Sequence, residues 1–136
     1  MNKEQVMDAV KNIPIVAERE GWGLTLDKEE GSLFYAPKII PSGSQLHQIT
    51  DEYALYFDSN KNPKGVVIDY YRANFLKHHK SFDQVSLDVF GENGKENKEV
   101  ITFDSNELKE NSSAGILQAL LESTLIREAG INPVPA

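Results

Sequence analysis

The chain has no cysteine. That excludes disulfides, thiolate nucleophiles and cysteine-type zinc sites in one step, and it fits a reducing compartment. There is also no apolar run near the roughly 18 residues that a membrane span needs. The first twenty residues, MNKEQVMDAVKNIPIVAERE, mix acids and bases and contain no apolar core of signal-peptide length. These absences predict a soluble, cytoplasmic protein with no membrane partner. Positive charge is short as well: 14 Lys and Arg stand against 21 Asp and Glu, a formal net charge of −7. A surface of that sign repels phosphate backbones. The one basic concentration, Lys77, His78, His79 and Lys80, has no RNA-binding aromatic motif or recognition helix around it. Nucleic acid is therefore not an expected partner.

What is present fits one domain. At 136 residues the chain can bury about two thirds of its unfolded surface and fold without staples. Residues 1–131 are expected to form an α+β domain and residues 132–136 a flexible C-terminal tail. Its most legible stretch is DEYALYFDSNKNPKGVVIDYYRANF, residues 51–75. If Asp58 faces Gly65 across SNKNPK, Phe57 meets Val66, Leu55 meets Ile68 and Tyr53 meets Tyr70, all on one apolar face. The reverse face then carries Ala54, Tyr56, Val67, Asp69 and Tyr71, a carboxylate among aromatic rings.

Around this hairpin the remaining elements follow from local signals. Asn2 and Gln5 form a capping-box pattern that opens a helix near Lys3. Pro14 kinks or restarts that helix, and Gly21 stops it. Trp22, Leu24 and Leu26 alternate with Gly23 and Thr25, and Ser32 to Ala36 returns the chain as the second strand of a first hairpin. Residues 37–50, PKIIPSGSQLHQIT, read as a long irregular connection. Phe75, Leu76 and His79 predict a short helix over 72–82. Val85 to Phe90 and Glu99 to Asp104 read as a third hairpin turning at Asn93-Gly94. Ser112 or Ser113 caps a helix from Ala114 to Ala129, with Ile116, Leu117, Leu120, Leu121, Thr124 and Leu125 as its apolar stripe and Gln118, Glu122 and Arg127 largely opposite. Gly130 ends it. The architecture expected is a mainly antiparallel sheet of about six strands in three hairpins, with the N-terminal and C-terminal helices packed on one face.

Four chemistries can be weighed on this frame. Asp58, Asn60 and Asn62 have calcium-loop spacing, yet Pro63 stands where a glycine is required and two lysines occupy the loop, so a plain turn is expected. His47, His78, His79 and Asp69 could supply a histidine and carboxylate site, though neighbouring histidines on a helix diverge by about 100°. PSGSQ lacks the glycine framework and lysine of a phosphate loop. The tyrosines in strands are explained by core packing except on the Tyr56, Val67, Tyr71 face.

No spacing here demands a catalytic mechanism, a metal or a cofactor. The leading expectation is a non-catalytic, acidic protein-interaction module, chaperone-like or regulatory, acting as a homodimer or with a protein partner. In size, charge and element order the chain resembles bacterial secretion chaperones, which are homodimers that hold unfolded client segments. The alternative is a small enzyme or ligand-binding domain that takes a small molecule between sheet and helices, using Asp69 and a histidine. The candidate binding residues are Tyr56, Val67, Asp69, Tyr71, His47 and His79.

Overall fold

The computed structural model describes residues 1–91 and 100–131. Asn2 caps α1 (Lys3–Lys11) through a reciprocal bond pair with Gln5. Pro14 lies in the first turn of α2 (Ile13–Glu20), where a missing N–H costs nothing, and Gly21 stops it at φ 66°. The chain then builds β1 (Gly23–Asp27), β2 (Ser32–Ala36), β3 (Gln45–Gln48), β4 (Ala54–Phe57) and β5 (Pro63–Ile68). A π-helical turn (Tyr71–Phe75) runs into α3 (Leu76–His78), and a 3-10 turn (Lys80–Phe82) leads to α4 (Asp83–Phe90). Then follow β6 (Val100–Phe103), α5 (Ser105–Glu110) and α6 (Ser112–Ile131). No helix among the described residues is long and apolar enough to cross a membrane.

The fold is α+β, with one six-stranded antiparallel sheet in the order β3-β4-β5-β2-β1-β6. Leu24, Leu26, Leu33, Tyr35, Leu55, Phe57, Val66 and Ile68 are buried and join one cluster with Val10, Ile13, Val16, Phe90, Leu117 and Leu121. Burying each such side chain contributes about 1.5–3 kcal/mol. The Tyr53 hydroxyl donates to the Leu125 carbonyl at 2.8 Å, tying the entry to β4 to α6.

Four expectations need correction. The central hairpin forms, but Leu55 pairs with Val66 and Tyr56 with Gly65, with an irregularity that brings Phe57 to Pro63. The turn closes tighter than expected, through the Asp58 N–H on the Asn62 carbonyl at 3.0 Å. The slip is two residues, and an even slip keeps every side chain on its face. Tyr70 leaves the sheet with φ 54° and is 67% exposed, so it does not pair with Tyr53.

The third hairpin does not form. Residues 83–90 are helix α4, which buries Val85, Ser86, Val89 and Phe90, an i, i+1, i+4, i+5 pattern. β6 pairs with β1 instead, Leu26 opposite Ile101. The turn expected at Asn93-Gly94 lies outside the described residues. Within residues 37–50 the connection contains β3, an edge strand paired with β4. Finally, α6 is capped by Asn111, whose Oδ1 accepts the Ala114 N–H at 3.0 Å, and the helix continues past Gly130.

Candidate functional site

Two places in this fold gather features that core packing does not require. The first is the β3 edge and the sheet surface beside it. Among the described residues β3 has β4 on one side only, and all four of its residues are exposed. The Ile49 N–H donates to the Tyr53 carbonyl at 3.0 Å. By the alternation of an antiparallel ladder, His47 and Gln45 also aim their backbone groups at β4, and Leu46 and Gln48 aim theirs away from the sheet. Natural edges are usually blunted by charge, proline or a bulge. QLHQ has none of these.

Leu46, half exposed at 51%, shares the sheet face opposite the core cluster with Tyr56, which it opposes. Further along that face come Ala54, Val67 and Phe34, joined by direct pairing of Ala54 with Val67 and of Val67 with Phe34. Beyond them, a groove of about 500 Å³ is lined by Thr25, Phe34, Ala36, Pro37, Ile40, Thr102 and neighbours, with Lys38 and Asp104 as its charged groups. From residue 31 to residue 50 there is no acidic residue, in a chain of net charge −7.

The second place is built by three separate elements. Glu52 comes from the segment before β4, His79 from the residue that ends α3, and Glu128 from the last turns of α6. The His79 ring is stacked on Phe75 at a centroid distance of 4.2 Å and stands edge-on to Phe82 at 6.0 Å. So held, its Nε2 lies 2.9 Å from Glu52 Oε2 and 2.8 Å from Glu128 Oε1. The three side chains are 11%, 19% and 16% exposed, in the order His79, Glu52, Glu128. They open onto a cavity of about 370 Å³ that Thr50, Asp51, His78 and Arg127 also line. Burial, the Glu52 charge and a hydrogen bond with Glu52 push the Glu128 carboxyl up to about 7, against the opposing pull of Arg127. The donor atoms of all three lie within 4.8 Å of one another.

The residues expected to act together are distributed differently. Tyr56 and Val67 share the outer sheet face, as expected, Tyr56 half-buried and Val67 at 7% exposure. Tyr71 is not on that face: it begins the π-helical turn, is buried, and donates to Ser86 Oγ at 3.1 Å. Burial pushes its hydroxyl up to about 12. Asp69 is exposed beyond the end of β5 and accepts the Ser32 hydroxyl at 3.0 Å. It lines a cavity with Glu52, Tyr70 and Asn74, while His79 lines the one with Glu128. His47 is exposed on β3, edge-on to Phe57 at 5.4 Å. His78 turns its Nδ1 to the Asn74 carbonyl at 3.0 Å.

The turn at Asp58 is held by its own chain. Asp58 Oδ1 accepts the N–H groups of Asn60 and Asn62, both at 2.9 Å, and Lys64 Nζ stands 3.8 Å from Oδ2. Slight burial would raise this carboxyl, but the Asn62 and Asn60 donors and Lys64 outweigh it and hold it below the ordinary aspartate value.

Glu52 and Glu128 were missed in the sequence. A signal for Glu128 existed: it lies three residues after Leu125 and four after Thr124, so the helical stripe carries a carboxylate among apolar residues. Glu52 has no comparable mark. Comparison with protein-family models, with curated proteins and with solved structures gives no match.

Proposed function

We propose that this chain is a non-catalytic interaction module that associates with a second copy of itself along β3. The observation that carries the reading is the open edge of that strand, with two residues aiming backbone donors and acceptors away from the sheet. Antiparallel pairing about a two-fold axis at His47 sets Leu46 against Gln48 of the second copy. This register makes use of all the outward groups of both strands.

Charge supports the same surface. Two acidic copies repel each other, and β3 with the segment that leads into it, residues 37–48, adds no acidic group to that repulsion. Apolar side chains add to the ladder: Leu46 and Ile39 are 51% and 82% exposed. The continuous sheet so formed carries two outer faces side by side, with Tyr56, Val67 and Phe34 on each, which suits a client or regulatory partner.

The reading is tested by light scattering on the wild type and on Leu46→Pro. Proline at 46 removes an outward N–H and leaves the β3–β4 bonds in place, so it separates association from folding. The expected result is a wild-type dimer and a monomeric variant with an unchanged melt. A wild type that stays monomeric at all concentrations contradicts the proposal.

The second reading, a small-molecule pocket between sheet and helices using Asp69 and a histidine, draws its support from the cavity beside His79. There the acids nearest the histidine are Glu52 and Glu128.

A further inference from the structure

We propose that Glu52, His79 and Glu128 bind one divalent first-row transition-metal ion, of which zinc is the test ion. The argument begins with the donor set. One imidazole nitrogen and two carboxylate oxygens, from three distant points in the chain, converge on a single spot. Nitrogen with carboxylate oxygen suits zinc, iron, cobalt or manganese, whereas calcium and magnesium prefer all-oxygen shells.

The geometry is close to what such an ion needs. Around a tetrahedral zinc with its usual bond lengths, donor atoms stand roughly 3.3 Å apart. Nε2 is now 2.9 Å from Glu52 and 2.8 Å from Glu128. Admitting the ion therefore requires the triad to open by about half an ångström, within the reach of two glutamate side chains. His79 itself does not need to search for its orientation, because Phe75 and Phe82 fix its ring. Coordination positions not taken by protein face the cavity of about 370 Å³, which gives water or a ligand access.

The plain alternative is a structural knot in which the Nε2–H is shared by two carboxylates. That knot is poorly balanced. Two partly buried carboxylates face one imidazole. A divalent cation offsets the charge of both acids at once. The contrast with Asp58 is instructive, since the place for a cation beside that carboxylate is filled by the Lys64 ammonium. Arg127, the cation lining the Glu128 cavity, sits on the adjacent residue of α6.

The test is a calorimetric titration of chelator-stripped protein with zinc alone. The expected result is saturable binding of one ion per chain and a thermal midpoint that rises with zinc concentration. His79→Gln, Glu52→Gln and Glu128→Gln each weaken binding by about tenfold or more, while Glu122→Gln, on the same helix, binds as the wild type does. Melts of the stripped variants identify any that fail to fold. A readout on the wild type alone keeps the test decisive: the ¹⁵N resonance of His79 Nε2 shifts on zinc addition. No saturable binding, binding that survives all three substitutions, or an unmoved His79 resonance overturns the proposal.

Discussion

The Tyr35 hydroxyl donates a 2.7 Å hydrogen bond to Glu122 Oε2, joining the centre of the sheet to the middle of α6. Gln118 Nε2 donates to the same hydroxyl at 2.8 Å, so one oxygen serves two helix positions a turn apart. Both helix residues were expected on the solvent side of α6. Burial raises the Glu122 carboxyl, and the Tyr35 hydrogen bond opposes that rise. Tyr35→Phe keeps the ring against Trp22, which it meets edge-on at 5.2 Å, and leaves the carboxylate and amide without this partner. The expected cost is about 1–3 kcal/mol, read from the denaturant midpoint. An unchanged midpoint would show that the bond contributes nothing to stability.

Gly23 lies where β1 meets the end of β6. A Cβ placed there would sit 2.5 Å from the Phe103 carbonyl oxygen and 3.2 Å from Asp104 Cα, both of them backbone atoms that cannot swing aside. Gly23→Ala is expected to push β6 away and to destabilise the fold by about 1–3 kcal/mol. Faster amide exchange at Thr102 and Phe103 in the variant would locate the damage. A neutral substitution would mean that the two strands have room to part.

Glu128 gives a pH prediction for the metal-free protein. Its carboxyl titrates at about 7 in the folded chain against an ordinary value of 4.5. Between those values the folded state holds more protons than the unfolded one, so this group lowers stability as pH rises through that window. Below the window both states are protonated and the effect vanishes. His79, Glu52 and Arg127 face the same spot, so the difference between proteins is the useful quantity. Glu128→Gln is expected to gain stability relative to the wild type as pH rises from about 4.5 to about 7, measured by thermal melts with chelator present. A constant difference across that range contradicts the assignment.

Much of the fold was legible because its signals are local. The capping box of Asn2 and Gln5, the αL stop at Gly21 and the alternation of Trp22, Leu24 and Leu26 each sit within a few residues. Two elements were not readable for physical reasons. In VSLDVF, six residues fit both a period of two and an i, i+4 helix, and only tertiary packing, which exposes Leu87 at 43% and buries Ser86, decides between them. β3 shows no alternation because all four residues are exposed, so burial wrote no pattern into them.

The candidate sites divide in the same way. Tyr56 and Val67 were placed together by strand parity, which survives an even slip in register. Tyr71 was misplaced because the strand stops at Ile68 and Tyr70 turns the chain at φ 54°. The convergence of Glu52 and Glu128 on His79 depends on how α6 lies against the start of β4, and no sequence spacing encodes it.

Self-association along β3 is tested most directly by amide hydrogen exchange on the wild type across a dilution series. The Leu46 and Gln48 amides face away from the sheet, and the proposed dimer would give them partners in a second copy. They are expected to be protected at high concentration and to lose protection on dilution, while the His47 amide, turned toward β4, stays protected throughout. Leu46 and Gln48 amides that exchange freely at every concentration, with His47 still protected, would contradict the account.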